Sequence, residues 1–245
     1  MNKPRTAAMV VIGNEILSGK IVDSNSAFLA KELRSLGVSL ERILVIPDDV
    51  EVIADTVSEC ASGFDLVFTS GGVGPTHDDI TVEGIAHGFG CSVIHHPELR
   101  AILEKHLGED LTAAQLKMTA VPEGSELITD DDLSFPTVLY RNVYILPGIP
   151  EIFEAKVSGL RERFRDQPYH LRQVLVRNSE AELAVFLNAT LEAFPDLVLG
   201  SYPKLGNPDY SVRVTLESLD EDYVDAALAD LVGRLPVDSV VSVER

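Results

Sequence analysis

The first two-thirds of the chain alternate short apolar runs with stretches in which apolar residues recur at helical spacing. The runs that suit buried strands are residues 7–12, 43–46, 66–69, 91–94 and 143–146. The helical patterns cover residues 29–36, 50–57, 80–89, 97–107 and 151–164. Short buried strands separated by helices are typical of a parallel sheet that is covered on both faces. The pattern therefore predicts an α/β domain with a three-layer, parallel-type sheet over residues 1–166.

Two helix boundaries can be read from single residues. Gly37 directly follows the first helical pattern, and glycine readily adopts the left-handed conformation that ends many helices. Asp49 directly precedes the second pattern, where its carboxylate can accept hydrogen bonds from free backbone N–H groups. The sequence thus predicts that one helix ends at Gly37 and that the next begins after Asp49.

The pattern changes after the polar stretch 165–168, which contains a proline. Strand-like runs at 171–176, 197–199, 210–216 and 239–243 are interspersed with helical patterns at 183–191 and 221–235. Ser179 and Glu182 form a capping-box signature before the first of these helices. The order β-α-β-β-α-β is that of the ferredoxin-like arrangement. We therefore expect residues 167–245 to form a second, small α+β domain.

One segment fits neither pattern. Residues 129–141 are acidic at first and then aromatic, without a clear period. The absence of a period favours a loop or a lid over a helix or a strand.

Charge and composition narrow the classes of function. The formal net charge is −19 at pH 7, whereas nucleic acids and anionic membranes bind to basic surfaces. We therefore expect neither as a partner, although an anionic small molecule can bind at a helix N-terminus or beside a metal ion. The run 7–12 is too short for a signal peptide or a membrane span, and the chain has only two cysteines. These features predict a cytoplasmic protein.

A glycine-rich loop lies between the strand pattern at 66–69 and the helical pattern at 80–89. It contains Gly71, Gly72, Gly74 and Thr76. Glycines remove the Cβ atoms that would keep phosphates away from backbone N–H groups, and ligands of open α/β sheets bind at the carboxyl ends of the strands. The loop lacks the Gly-Lys pair of a P-loop and the third glycine of the dinucleotide fingerprint. It is either a phosphate-binding loop of another kind or a tight turn capped by Asp78.

Acidic residues follow this loop, and another follows the strand pattern at 43–46. Asp79 and Glu83 are four residues apart, so both can lie on one face at the start of a helix. Carboxylates repel phosphate unless a cation joins them, which indicates Mg²⁺ or a similar hard ion. Favourable acids at a helix N-terminus are the alternative interpretation. Asp48 follows the strand pattern at 43–46 and could reach the same crevice.

Asn25 and Gly148 are further candidates for ligand binding. Asn25 stands at the start of a helix, where it could hydrogen-bond a ribose or a phosphate or simply cap the helix. Gly148 lies between two prolines that hold its turn rigid, and it can expose backbone N–H groups. Both residues follow predicted strands, as the glycine loop does.

Motifs at four places in the chain have a distinctive order and spacing. They are Gly13-Asn14-Glu15-Ile16-Leu17-Ser18-Gly19, Asp23-Ser24-Asn25, Gly71-Gly72-Val73-Gly74-Pro75-Thr76-His77-Asp78-Asp79-Ile80-Thr81 and Leu146-Pro147-Gly148-Ile149-Pro150. Over about residues 5–165 the chain resembles the molybdopterin-binding (MoaB/Mog-like) domain, in the variant of the CinA family and of the N-terminus of eukaryotic FAD synthase. The second domain, with Gly200-Ser201-Tyr202-Pro203, looks like the small domain that follows in the CinA family.

This resemblance implies a chemistry. Domains of the CinA type are linked to metal-dependent hydrolysis of the pyrophosphate in ADP-ribose or FAD, whereas the Mog-like branch attaches AMP to molybdopterin. When the motifs are compared, residues 71–76 match the phosphate-binding loop of the Mog-like active site. Asp48, Asp79 and Glu83 match its acidic positions. We therefore expect Asp79 and Asp48 to be catalytic and all three acids to bind a metal. Mg²⁺, Mn²⁺ and Co²⁺ are the candidates, with K⁺ as an additional one.

The resemblance also implies a nucleotide or pterin ligand and a homo-oligomer, either a dimer or a trimer. The amidase domain of CinA would require more than about 100 further residues, so we expect no amidase activity. A binding module without catalysis is the alternative to both enzymes.

Overall fold

The computed structural model describes residues 4–129 and 135–244. The chain divides into two compact units, Met1–Asp166 and Gln167–Arg245. Among the described residues, no helix combines the length and the apolar character that crossing a membrane would require.

The first unit contains strands and helices in alternation. Its strands are β1 (Thr6–Ile12), β2 (Ser39–Ile46), β3 (Leu66–Ser70), β4 (Val93–His95), β5 (Ala120–Pro122), β6 (Glu126–Ile128), β7 (Thr137–Tyr140) and β8 (Val143–Leu146). Its helices are α1 (Asn14–Leu17), α2 (Asn25–Ser35), α3 (Val50–Gly63), α4 (Thr81–Phe89), α5 (Pro97–Leu107), α6 (Ala113–Lys117) and α7 (Pro150–Phe164).

A six-stranded sheet in the order β2-β1-β3-β8-β7-β6 forms the centre of this unit. The neighbouring strands β2, β1, β3 and β8 are parallel, and β7 and β6 add an antiparallel edge. Because side chains alternate between the two faces, Met9 and Phe68 lie in one core cluster with residues of α2 and α7. Val10 and Val67 lie in another with residues of α3 and α4. The predicted three-layer α/β arrangement is therefore confirmed.

Both predicted helix boundaries are also confirmed. Gly37 follows α2 with a φ of 84°, which is the left-handed region that glycine tolerates. The Asp49 carboxylate accepts hydrogen bonds from the backbone N–H groups of Glu51 and Val52 at the start of α3. Local residue chemistry thus sets the ends of both helices.

The predicted strand at 91–94 has a different place from the one expected. β4 pairs antiparallel with β5 in a separate two-stranded sheet, so its assignment to the parallel sheet was wrong. Val93 and Ile94 are 40% and 37% exposed. An apolar run indicates that a segment can be extended, but it does not show which strands it joins.

The predicted loop or lid at 129–141 is partly a strand. β7 pairs antiparallel with β8, and the turn that joins them contains Arg141 with a φ of 55°. Leu139 and Tyr140 of β7 are buried. The prediction was therefore wrong for residues 137–140, because a strand of four residues is too short to show a period. Residues 130–134 of the predicted lid lie outside the described residues.

The second unit has its own sheet, helices and core. Its elements are β9 (His170–Val176), α8 (Glu180–Ala193), β10 (Val198–Pro203), β11 (Val212–Ser218), α9 (Glu221–Arg234) and β12 (Val240–Glu244). The four-stranded sheet has the order β10-β11-β9-β12, and all its pairs are antiparallel. Val174 and Val214 pack with residues of α8 and α9 in one cluster. This is the predicted ferredoxin-like arrangement, and the capping box of Ser179 and Glu182 is present.

Candidate functional site

The carboxyl ends of β1, β3 and β8 meet at one edge of the main sheet. In register, Val11 lies beside Ser70, and Ser70 lies beside Leu146. The Gly71 backbone N–H donates to the Leu146 carbonyl oxygen at 3.2 Å. The loops that follow these strands are therefore neighbours, as expected where ligands bind in an open α/β sheet.

The glycine loop has a backbone that other residues could not adopt without distortion. Gly71 and Gly72 have φ values of 106° and 65°. A Cβ atom on Gly71 would lie 2.2 Å from the Ile12 carbonyl oxygen, and one on Gly72 would lie 2.3 Å from Thr81 Oγ1. The Thr81 hydroxyl donates to the Gly71 carbonyl oxygen at 2.9 Å, which fixes the turn from β3 into α4.

Asn25 ties this loop to the turn after β8. Its side chain is 4% exposed, and Nδ2 donates to Ser70 Oγ at 2.9 Å and to the Gly148 carbonyl oxygen at 3.0 Å. A Cβ atom on Gly148 would lie 3.3 Å from Gly71 Cα. Asn25 therefore holds two glycine-containing turns against each other, in addition to starting α2.

We expect Asn25→Asp to destabilise the first unit more than Asn25→Ala. The aspartate would place a buried carboxylate oxygen against the Gly148 carbonyl oxygen, where the amide now donates. Urea denaturation should show a loss of about 3 kcal/mol for the aspartate and about 1–2 kcal/mol for the alanine. The extra loss should shrink as the pH falls, because a protonated carboxyl group can donate to Gly148. Equal losses at all pH values would contradict this account.

The acidic end of the loop folds back on itself. Asp79 Oδ2 accepts a hydrogen bond from the Thr76 backbone N–H at 2.7 Å and also contacts the Thr76 hydroxyl. That hydroxyl lies 2.6 Å from Asp78 Oδ1, and its single proton can serve one carboxylate at a time. The hydrogen bond from Thr76 lowers the pKa of Asp78. Asp79 and Thr76 thus hold the loop closed beside the glycines.

This loop lines two adjoining cavities. The first has a volume of about 200 Å³, and Asp79, Glu83 and Lys117 are among the residues that line it. The second has a volume of about 520 Å³, and its lining includes Asn25 and Gly148. Asp79 belongs to both linings, as do the glycine-loop residues 72–74. The structure therefore brings Asp79 together with Glu83 in the first cavity and with Asn25 in the second.

Asp48 is placed differently from the other predicted acids. Its carboxylate accepts a hydrogen bond from the Asn14 backbone N–H at 2.8 Å, and it lines neither of the two cavities. Within residues 4–129 and 135–244, no group of three or more His, Cys, Asp or Glu side chains could hold a metal ion. The structure thus does not join Asp48 to Asp79 and Glu83.

The remaining acids suit one kind of metal site. Mg²⁺ commonly binds through one or two carboxylates and completes its shell with water and substrate phosphates. Asp79 and Glu83 line the same cavity as the glycine loop. The donors therefore fit an ion shared with a phosphate ligand, and they do not fit a cage made of protein ligands alone.

Two lysines of the first cavity were missed by the sequence analysis. Lys117 and Lys156 both line it, and Lys156 is 6% exposed. A signal existed for Lys156, because it interrupts the buried face of α7 beside Phe153 and Val157. Lys117 is at the end of a five-residue helix, which is too short to show which face is buried.

Comparison with known families identifies both units. Residues 8–163 match the family described as a probable molybdopterin binding domain, and residues 168–244 match the middle domain of FAD synthase. The chain therefore belongs to the family of MoaB/Mog-like molybdopterin-binding domains, with a second unit related to FAD synthase. The resemblance found in the motifs is confirmed.

Individual relatives support this assignment. A protein of Archaeoglobus fulgidus is 37% identical over 90% of this chain and 93% of its own length. A probable FAD synthase of Caenorhabditis elegans is 34% identical over 94% of this chain. The match covers 50% of that FAD synthase, so this chain spans about half its length. The crystal structure of a CinA protein of unknown function from Thermoplasma acidophilum is 33% identical, with a TM-score of 0.61, and the match covers 66% of this chain and 99% of that one.

Proposed function

We propose that the protein is a metal-dependent pyrophosphatase of nucleotide diphosphate compounds, of the ADP-ribose or FAD class. The observation that carries this proposal is that the glycine loop lines two adjoining cavities, which share Gly72, Gly74 and Asp79. A ligand with a central diphosphate has two end groups, so it can place its phosphates on the loop and one end group in each cavity.

The larger cavity suits the ring of such a ligand. Ile21, Val22 and Ile149 belong to its lining and are 56%, 87% and 55% exposed. Pockets for small organic ligands are typically concave and lined by apolar side chains, with a few polar groups among them. Nucleobases and flavins present flat apolar faces to such side chains.

Different residues of the site would bind the phosphates, hold the metal and position the loops. Backbone N–H groups of residues 71–76 would bind the phosphate oxygens, and Asp79 and Glu83 would hold the metal. The bound metal would neutralise charge on the phosphate and polarise the attacking water. Asn25 would keep Gly148 beside Gly71. For Asp48 we propose a positioning role through its hydrogen bond to Asn14 in place of metal ligation.

The test is AMP release from ADP-ribose, FAD and NADH, each with Mg²⁺, Mn²⁺ or Co²⁺ and with or without K⁺. We expect AMP from at least one substrate and its loss when a chelator is added. The likeness to FAD synthases favours FAD as the first substrate to try. If no AMP appears with any combination, a pyrophosphatase is excluded.

A molybdopterin adenylyltransferase, or a molybdopterin-binding protein, is the second candidate. The family description of residues 8–163 favours it. An adenylyltransferase would form adenylated molybdopterin from ATP, whereas the pyrophosphatase would release AMP from FAD without any pterin. Tight binding of a nucleotide or a pterin without any product would instead indicate a binding module.

We also propose that the chain forms a homo-oligomer, a dimer or a trimer. Light scattering coupled to size-exclusion chromatography measures the mass directly. A species with the 26.6 kDa of one chain at all concentrations would contradict this.

A further inference from the structure

Lys117 lies at the boundary between the glycine loop and the first cavity. It ends α6, whose start is held by a capping box of Thr112 and Gln115. Its ammonium group donates to the Thr76 carbonyl oxygen at 2.7 Å, and it lines the first cavity together with Asp79 and Glu83. A lysine from a distant segment is therefore positioned beside the loop.

Lys117 has no ion-pair partner among the described residues, although it attracts the Asp78 carboxylate at longer range. Among the residues that the structure describes, no carboxylate oxygen lies within 4.0 Å of its ammonium nitrogen. An ammonium group has three donor hydrogens, and the bond to Thr76 uses one of them. The residue is partly exposed, and the bond to Thr76 is itself at an exposed position, so the remaining donor hydrogens can reach a ligand.

Lys156, the other lysine of the cavity, is engaged in a different way. Its ammonium group donates to the carbonyl oxygens of Phe135 at 2.7 Å and Pro136 at 3.0 Å. It therefore holds the wall of the cavity, whereas Lys117 keeps donors available at the edge of the loop.

We propose that Lys117 binds the ligand phosphate on the side of the first cavity and so makes the site select diphosphates over monophosphates. This inference rests on the proposed function, which places a diphosphate on the glycine loop. The first phosphate would then bind to the backbone N–H groups of the loop. The second would bind to the ammonium group of Lys117, through a charge-assisted hydrogen bond.

The experiment compares the affinities of ADP, as its non-hydrolysable α,β-methylene analogue, and of AMP by calorimetry in the presence of Mg²⁺. The cation is then present beside the acids of the site, and neither ligand is turned over. We expect the wild-type protein to bind ADP more tightly than AMP. Lys117→Met should weaken ADP binding by about 10- to 100-fold, which is the effect of losing one charge-assisted hydrogen bond. It should leave AMP binding within a few-fold, so that the preference for ADP disappears.

Two control variants distinguish the effect of the positive charge at position 117 from a general effect of replacing a lysine. Lys117→Arg keeps the positive charge and should retain most of the preference. Lys105→Met removes an exposed lysine of α5 and should leave both affinities unchanged. Increasing salt should weaken ADP binding less in Lys117→Met than in the wild-type protein, because one phosphate contact is gone.

Three outcomes would overturn the inference: an equal loss of ADP and AMP affinity in Lys117→Met, a wild-type protein without a preference for ADP, or no binding of either nucleotide. The equal loss would assign Lys117 a purely structural role through Thr76. A preference for ADP that depends on Lys117, in a protein that releases no AMP from any substrate, would support the inference and exclude the pyrophosphatase. The two proposals can therefore fail independently.

Discussion

Replacing Asp79 with asparagine should lower AMP release by at least about 100-fold without unfolding the protein. Asp79 lines both cavities, so its carboxylate lies where a ligand's diphosphate and the metal would meet. Asparagine has the same size, and its Oδ1 can still accept the hydrogen bond that Thr76 N–H now donates to Asp79 at 2.7 Å. The loop should therefore keep its shape while the metal loses an anionic ligand. Initial rates at saturating metal, with thermal unfolding monitored in parallel, measure both effects.

Asp78→Asn is the matched control for this variant. It removes a charge of the same sign from the adjacent residue and changes the acceptor of a hydrogen bond that the same Thr76 hydroxyl can donate. Asp78 lines neither cavity, so we expect its activity to stay within about tenfold of the wild-type value. If Asp79→Asn retained full activity, or if both variants lost activity equally, the assignment of Asp79 to the metal would be wrong.

Glu83→Gln tests the second proposed metal ligand. Because Glu83 lines only the first of the two cavities, we expect it to affect metal affinity more than the positioning of the phosphates. The metal concentration for half-maximal activity should rise by about tenfold or more, with a smaller change in the maximal rate. A metal dependence identical to that of the wild-type protein would remove Glu83 from the site.

Gly71→Ala should destabilise the first unit by at least about 3 kcal/mol. The added Cβ atom would lie 2.2 Å from the Ile12 carbonyl oxygen, which belongs to the backbone of β1 and cannot turn aside as a side chain could. The φ of 106° is in addition unfavourable for alanine. Both effects act at the turn that carries the glycine loop, so ligand binding should be lost with the stability. Urea denaturation and ADP calorimetry provide the two measurements.

Gly108→Ala serves as the reference for Gly71→Ala. Gly108 has a similar φ of 96°, but nothing lies within 4 Å of the position that a Cβ atom would occupy. It therefore reports the backbone strain alone, for which we expect about 1–3 kcal/mol. The difference between the two variants measures the contact with Ile12. If both lost the same free energy of unfolding, close approach of the strands would not be the reason for a glycine at position 71.

Much of the fold can be predicted from the sequence because local signals agree with the tertiary environment. β1, β3 and β8 are buried on both faces, so each of their sequences is a nearly continuous apolar run that has few alternatives to a central strand. The end of α2 at Gly37 and the start of α3 after Asp49 depend on backbone conformation and hydrogen bonds within a few residues. The same holds for the glycines of the loop, whose order and spacing are visible without a structure.

Contacts between distant segments could not be predicted in this way. Asn25 and Gly148 are 123 positions apart, and Lys117 and Thr76 are 41 apart. Such pairs meet only because β1, β3 and β8 are neighbours in the sheet and because α6 packs near the loop. In the tertiary structure Asp48 likewise accepts a hydrogen bond from Asn14 and is absent from the linings of the two cavities. Its position after a strand was nevertheless the same kind of signal as that of Asp79.

The sequence by itself therefore determined the class of fold, the glycine loop and the family, since these depend on hydrophobic periodicity and on residues close together in the chain. Only the tertiary structure decided which acids share a cavity, that this cavity adjoins a second one lined by the same loop, and that a lysine lies at its edge. The physical reason is that strand order and helix packing set distances between segments, and a single sequence contains no local signal for them.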